Sequence, residues 1–175
     1  MYKRILVAID GSDTSKRALR EALQLAKDGK SALRVLHVLD LVTFSTDTPS
    51  GFAAYEEALR TGGEQMLADA SDMAEKAGVA CETKLLEMEE HGRRVAEEIA
   101  EDAAAWRAEL IVIGTHGRTG IEHVFLGSVA EKVIRRSPIP VFVIPCVHGH
   151  GQVHAVAQTR SRADLIDKAG AGKEI

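Results

Sequence analysis

Short apolar runs alternate with longer amphipathic segments along most of the chain. The runs have the length of strands, whereas the segments between them repeat apolar residues every three or four positions, as helices do. This alternation predicts an α/β fold with a parallel sheet. The predicted strands cover residues 5–9, 33–39, 79–87, 110–113 and 141–144. Four helices are predicted between these strands. The first ends near Gly29, the second runs from about 52 to 76, the third begins near His91, and the fourth covers 128 to about 136.

The predicted strands differ in polarity. The run 5–9 is apolar throughout, which suits the centre of a parallel sheet that is covered on both faces. The run 79–87 is the most polar and is expected at an edge of the sheet. A polar connection, 40–51, precedes the longest helix, in which Gly62 and Gly63 mark a candidate kink.

One glycine-rich segment directly follows the fourth predicted strand. Gly114 and Gly117 open this segment, and Gly127 and Ser128 close it at the start of the last helix. A strand, a glycine loop and a helix in this order aim backbone N–H groups and the positive end of the helix dipole at one spot, which favours an anion such as phosphate. Ser128 and Glu131 have the spacing of a capping box at the helix start.

The spacing of the glycines and the serine, G-x2-G-x9-G-S, resembles the nucleotide-binding signature of the universal stress protein family. Residues 129–145 also resemble the closing helix and strand of that family. The resemblance implies a Rossmann-like, doubly wound sheet of five parallel strands in the order 3-2-1-4-5, with helices on both faces. It also implies one domain over residues 1–146, with a ligand site between the first and fourth strands, where the strand order reverses.

The phosphate side of the expected site lies in the glycine segment. Gly114 and Gly117 are expected to let the backbone approach phosphates and adopt positive φ, and Gly127 to allow a close turn into the helix. Ser128 can donate its hydroxyl, and the amides of Ser128 and Val129 lie at the predicted helix start, where phosphate binding is favoured.

The sugar and base side is expected at the ends of the first two strands. Asp10 can accept hydrogen bonds from ribose hydroxyls or help to hold a magnesium ion through water. The family resemblance implies that Gly11 and Ser12 belong to the same nucleotide contact. It also implies that the backbone of Val38 reads the adenine edge.

Each of these features also has a purely structural interpretation. Asp10 could be only the N-cap of the following helix, and Gly127 with Ser128 only a tight turn. Arg118 and His116 could reach phosphates or simply be solvated. The combination of these features at one predicted switch point favours nucleotide binding.

The family resemblance predicts an ATP-binding universal stress protein that acts as a nucleotide-dependent regulatory or protective module. It also implies a homodimer through the last strand, Val141–Ile144, because that pairing would remove an exposed edge. A slow ATPase or nucleotidyl-transfer enzyme is one alternative, although the loop has no Walker lysine and no second acidic residue adjoining it. The other alternative is a dimeric interaction module without nucleotide. Protein partners beyond a second copy are unknown.

Composition and charge exclude several other classes. Lys and Arg number 22 against 26 Asp and Glu, and the net charge of -4 comes without a basic stripe, which disfavours nucleic acid as a partner. No apolar stretch approaches the roughly 20 residues that span a bilayer. The N-terminal run ends in an acid and does not resemble a signal peptide. We therefore expect a cytoplasmic protein without membrane segments.

The residues after the last strand depart from the family pattern. Residues 147–175 are expected to form a flexible or partly helical C-terminal extension. His148, His150 and His154, near Cys146, could ligate a metal ion, but their spacing matches no closed zinc site. A solvated histidine-rich linker is the favoured interpretation, and no metal site is predicted.

A few remaining side chains have structural roles in this interpretation. His37 and His123 are expected on the surfaces of a strand and a helix, and Trp106 is expected to pack at the end of its helix. Cys81 and Cys146 are expected to be reduced thiols.

Overall fold

The computed structural model describes residues 1–41, 49–88, 94–115 and 126–146, without the side chains of 49–52. Several residues singled out in the sequence lie outside these ranges. They are Gly117 and Arg118 of the predicted phosphate side, the neighbouring His116 and His123, the predicted helix start at His91, and the extension 147–175 with its histidines.

Strands and helices alternate along the described residues, as the sequence pattern predicts. All strand pairs are parallel, and the sheet order is β3-β2-β1-β4-β5. The predicted fold class and strand order are therefore confirmed. The elements are β1 Arg4–Ile9, α1 Asp13–Gly29, β2 Ala32–Asp40, α2 Pro49–Ala77, β3 Cys81–Met88, α3 Val95–Ala105, β4 Leu110–Gly114, α4 Ser128–Arg136 and β5 Val141–Ile144.

The central strand β1 contributes to two separate cores. Side chains alternate across the sheet, so Ile5 and Val7 pack with the apolar faces of α1 and α2. Leu6 and Ala8 point to the other face and pack with α3 and α4. Helices on both faces explain why β1 is apolar at every position from Ile5 onward, as expected for the centre of the sheet.

The order of the strands reverses beside β1. β2 pairs with one side of β1 as far as Ile9 and His37, whereas β4 pairs with the other side as far as Ala8 and Ile113. Beyond these pairs the chains leave in different directions and open a crevice at the carboxyl edge of the sheet. Ligands of open α/β sheets bind at such a point.

The starts of two helices differ from the prediction. α3 begins at Val95 rather than near His91, because Arg94 is still extended, with φ of -127° and ψ of 141°. α2 starts at Pro49, about three residues earlier than expected, because proline fits the first position of a helix, where its missing N–H costs no hydrogen bond. The helix is continuous through Gly62 and Gly63. α1 does end after Gly29, but the left-handed residue that closes it is Lys30, with φ of 50°, rather than the glycine.

The polar strand β3 lies at an edge of the sheet, as predicted, and an ion-pair cluster ties it to α3. The guanidinium of Arg34 in β2 bonds both carboxylate oxygens of the buried Asp102 at 3.1 Å and stacks 4.8 Å from the centroid of the Trp106 ring. Trp106 also donates its ring N–H to Glu82 of β3 at 3.1 Å. The predicted packing role of Trp106 is confirmed.

Two further expectations concern the thiols and the membrane. Cys81 and Cys146 form no disulfide, and burial raises the pKa of the Cys81 thiol. Within the described ranges, every helix is either too short or too polar to cross a lipid bilayer.

Candidate functional site

A cavity of about 400 Å³ lies at the carboxyl edge of the sheet, at the crevice beside β1. Its walls come from the ends of β1, β2 and β4, from α2 and α3, and from the N-terminus of α4. The volume is within the range of cofactor and small-ligand sites. Predicted site residues that line it are Asp10, Val38, Gly114, Gly127, Ser128 and Val129.

The junction between β1 and α1 is closed by hydrogen bonds among its own side chains. The Oδ1 atom of Asp10 accepts from the backbone N–H of Ser12 at 3.0 Å and from its hydroxyl at 2.6 Å. The Ser12 hydroxyl oxygen in turn accepts from the N–H of Ser15 at 3.2 Å. Ser12 is therefore the N-cap of α1, and the alternative that Asp10 caps this helix is wrong.

Gly11 lies in the tight turn that joins Asp10 to Ser12. Its φ is +83°, in the left-handed region that favours glycine. A Cβ at this position would also lie 2.9 Å from Cε of Met66 in α2. Gly11 and Ser12 do not line the cavity themselves, but their turn holds Asp10 at its wall.

The junction between β4 and α4 has no such side-chain cap among the residues that the structure describes. Gly127 is the N-cap residue and has no side chain to offer, and Ser128 is already the first helical residue. The predicted capping box of Ser128 and Glu131 is therefore wrong, because the serine lies one position too late to cap. The first amides of a helix have no carbonyl partner within it, so those of α4 need partners from outside the helix, and a ligand in the cavity can supply them.

The glycines at this junction act differently from the prediction. Gly114 does not have positive φ. It is needed because the start of α1 approaches closely, since a Cβ on Gly114 would lie 2.8 Å from Cγ2 of Thr14. Gly127 has φ of -68° and ψ of 153°, a backbone that any residue can adopt. At this end of the cavity, both glycines lie at the lining without left-handed geometry.

Thr115, which sequence reasoning missed, lines the cavity and fixes this junction. Its N–H donates to the carbonyl of Ile144 at 2.8 Å, and its carbonyl accepts from the N–H of Gly127 at 2.5 Å. Its hydroxyl accepts from the N–H of Cys146 at 3.1 Å. One residue thus holds together the ends of β4 and β5 and the start of α4.

The part of the cavity beneath β2 is largely apolar. Side chains of β2, α2, α3 and β4 enclose this region, and Asp40 lies at the end of β2. Such a surface suits the flat face of an aromatic base. The apolar lining residues are Leu36, Val38, Leu39, Leu59, Val95, Ile99 and Ile113.

The sequence predicts His37 on the surface of its strand, and this prediction is wrong because the residue is buried. Its residue is only 2% exposed and it lines the cavity, with Nδ1 2.8 Å from the carbonyl oxygen of Ile9. Because a carbonyl can only accept, Nδ1 carries the proton in this contact. The signal that sequence reasoning missed is the position of His37 directly before Val38, where the strand reaches the switch point.

An ion pair secures α2 against the sheet next to the cavity. Arg60, which follows the lining residue Leu59, donates from Nε and Nη2 to the two carboxylate oxygens of Glu87 at 2.7 and 2.8 Å. Hydrogen bonding from Arg60 lowers the pKa of Glu87, and the same contact raises the pKa of Arg60. The bidentate pair joins α2 to the end of β3.

No group of three or more potential metal ligands occurs in the part of the chain that the structure describes. The carboxylates that line the cavity are Asp10 and Asp40, at the ends of neighbouring strands. Hard cations such as magnesium are usually bound by one or two carboxylates together with phosphate oxygens and water.

The fold and the cavity define a class of protein: a doubly wound α/β protein with a ligand cavity at its switch point and an uncapped helix N-terminus in the cavity wall. Comparison with known proteins narrows the class. Residues 1–145 match the model of the universal stress protein family. The chain belongs to this family.

Relatives and solved structures agree with this assignment. A universal stress protein of Methanocaldococcus jannaschii is 37% identical over 145 residues, which are 82% of each chain. A crystal structure from Burkholderia pseudomallei is 38% identical with a TM-score of 0.68, covering 83% of this chain and 97% of the other. A structure from Archaeoglobus fulgidus in complex with dAMP is 28% identical, with a TM-score of 0.57 and coverage of 82% and 98%.

Proposed function

We propose that this universal stress protein binds ATP in the cavity beside β1 and acts in the cytoplasm as a nucleotide-dependent regulatory or protective module. The observation that carries the proposal is the uncapped N-terminus of α4 in the cavity wall, opposite an apolar region of suitable size. Free amides and the helix dipole favour the phosphates. The proposed binding unit is residues 1–146, with 147–175 as an extension.

The phosphate groups are assigned to the β4–α4 junction. The amides of Ser128 and Val129 and the hydroxyl of Ser128 would donate to phosphate oxygens, with Gly114 and Gly127 leaving room beside them. Gly117 and Arg118 belong to the same proposed contact on the sequence pattern alone.

The ribose and the base are assigned to the ends of β1 and β2. Asp10 would accept from the ribose hydroxyls or hold a water of a magnesium ion, with Gly11 and Ser12 maintaining the turn. The backbone of Val38 would read the adenine edge, and the apolar side chains around it would cover the ring. The dAMP complex of the relative from Archaeoglobus fulgidus supports adenine as the base.

The proposal is tested with one matched pair of substitutions. Ser128→Asp places a carboxylate at the start of α4, where it would repel phosphate, and Ser71→Asp makes the same change on the exposed surface of α2. Calorimetry with ATP and magnesium should show at least a tenfold loss of affinity for Ser128→Asp and no change for Ser71→Asp. Equal affinities in the three proteins would exclude this site.

The same preparation separates the three functional alternatives. Wild-type protein purified without added nucleotide is denatured, and any released nucleotide is identified. Release of adenine nucleotide, or binding in the titration, supports a nucleotide module. If no nucleotide is released and none binds, the result supports a nucleotide-free interaction module. Incubation with ATP then measures hydrolysis, because ADP that forms in wild type and not in Ser128→Asp indicates an enzyme.

The proposed unit is a homodimer paired through β5. This strand, Val141–Ile144, lies at the edge of the sheet, and Phe142 is 43% exposed, as is Ile134 of α4. An edge strand with exposed apolar neighbours is satisfied when a second copy pairs with it. Phe142→Asp should halve the mass measured by light scattering, whereas Tyr2→Asp, at a residue of similar exposure on another edge of the molecule, should not.

A further inference from the structure

His37 is held between β1 and α2 at the point where the cavity opens. The pair Ile9 and His37 is the last register pair of β1 and β2. The residue that follows each partner is a proposed ligand contact: Asp10, directly after β1, and Val38 within β2. Any shift between the two strand ends would therefore move these contacts relative to each other.

The imidazole joins the two strand ends directly. Nδ1 donates to the carbonyl of Ile9 at 2.8 Å, so a side chain adds a cross-strand hydrogen bond where the backbone ladder stops. His37 is buried, and a hydrogen bond shielded from water is electrostatically stronger than one in water. His37 thus fixes the segment of β2 that carries Val38 relative to Ile9, the residue before Asp10.

α2 confines the ring from the other side. A Cβ on Gly63 would lie 2.9 Å from Cδ2 of His37 and 3.0 Å from Cδ1 of Leu85. Real Cβ atoms are not found so close to other atoms, so only glycine fits there while the ring stays in place. The neighbouring Gly62 has nothing within 4 Å of its ideal Cβ. Two adjacent glycines of one helix therefore differ in whether they constrain His37.

We propose that His37 is a positioning residue that sets the spacing between Asp10 and Val38 and thereby makes the site selective for adenine over guanine. The inference rests on the proposed nucleotide site. Selectivity depends on where the backbone of Val38 meets the edge of the base, and that backbone directly follows His37. The phosphates are assigned to the start of α4, so we expect a change at His37 to leave their binding unaffected.

The test uses four variants of the full chain. His37→Leu removes the donor at similar volume, and His37→Asn keeps an N–H close to the position of Nδ1. Gly63→Ala displaces the unaltered imidazole ring. Gly62→Ala is its control, because it raises the helix propensity of α2 by the same amount without contacting the ring. Affinities for ATP, AMP and GTP are measured by calorimetry, and thermal melts confirm that each variant is folded.

We expect His37→Leu and Gly63→Ala to lose about tenfold in affinity for both ATP and AMP, as for the loss of one buried hydrogen bond, and to discriminate less between ATP and GTP. His37→Asn and Gly62→Ala should stay within about twofold of wild type. A general loss of stability would weaken ATP and GTP by the same factor, so reduced discrimination between them, together with rescue by asparagine, indicates a positioning role.

Two results would overturn the inference, and they are distinguishable. If wild type binds ATP and Gly63→Ala binds it as tightly and as selectively as Gly62→Ala does, the positioning role is wrong while the proposed site remains. If wild type binds no adenine nucleotide, the proposed function fails and the inference fails with it. Should His37→Leu not fold, the two glycine variants and His37→Asn still decide between these outcomes.

Discussion

The N-termini of α1 and α4 both lie at the carboxyl edge of the sheet, but only α1 has a side-chain cap among the described residues. At α1, Ser12 caps the helix and Asp10 holds Ser12 in turn, so the junction is complete without a ligand. At α4, the cap position is a glycine, and no side chain within the described ranges takes this role. One chain thus builds a closed and an open helix start side by side.

This difference gives the proposed nucleotide a direction. The carboxylate of Asp10 lies at the start of α1 and would repel phosphate, although it can accept hydrogen bonds from hydroxyl groups. The start of α4 offers N–H donors and a positive dipole end. We therefore expect the phosphates at α4 and the sugar at Asp10, as assigned above.

The largest effect is expected from the two glycines at these junctions. Gly11→Ala forces a side chain into left-handed backbone and against Met66, and should lower the free energy of unfolding by about 2 kcal/mol. Gly127→Ala keeps an accessible backbone and should cost less than about 1 kcal/mol, the difference between these residues at an N-cap. Urea denaturation measures both, and equal losses would contradict the described contrast.

A smaller effect is expected from the two serines. Ser12→Ala removes the cap of α1 and should lower the free energy of unfolding by about 1 kcal/mol. Ser128→Ala removes no cap and should change it by less than about 0.5 kcal/mol, while weakening ATP binding. If Ser128→Ala destabilised the protein as much as Ser12→Ala does, the α4 junction would be closed rather than open.

The sequence predicts much of this arrangement but not its details. Strand positions follow from apolar runs, and the glycine segment marks the correct junction. Spacing alone, however, does not reveal which residue is the cap, because Ser128 and Glu131 match a capping box one residue out of register. Which residue is the cap depends on where the backbone first becomes helical. At α4 the backbone hydrogen bonds of Thr115 to Ile144 and Gly127 set the start of the helix.

Long-range contacts account for the other differences. The sequence predicts His37 on the surface, because the pattern of a strand does not indicate that a carbonyl of β1 accepts a hydrogen bond from its ring. The sequence predicts positive φ at Gly114 and a kink at Gly63, whereas each of these glycines makes room for a side chain from a distant element. Such reasons for a glycine depend on packing between elements and are not visible in local sequence.

The smallest effect is expected from a contact outside both junctions, the pair of Arg60 and Glu87. Because Arg60 lowers the pKa of folded Glu87, the pair stabilises the protein above the unfolded pKa and loses this effect as the pH falls through the folded pKa. Glu87→Gln should lower the melting temperature slightly at pH 7 and not at pH 3. ATP binding should not change.

A matched control for this comparison lies on the same helix. Glu75→Gln neutralises an exposed carboxylate of α2 and should not alter the melting temperature at either pH. A loss for Glu87→Gln that persists at pH 3 would show that packing, rather than charge, holds α2 at this point.

Thr115 also bears on how this chain tolerates insertion. Its backbone bonds to Ile144 and Gly127 keep the two ends of the segment 116–125 together whatever lies between them. In general, doubling the length of a flexible loop whose ends are held together costs only about 0.6 kcal/mol in closure entropy. We therefore expect an insertion between Thr115 and Leu126 to leave the sheet intact.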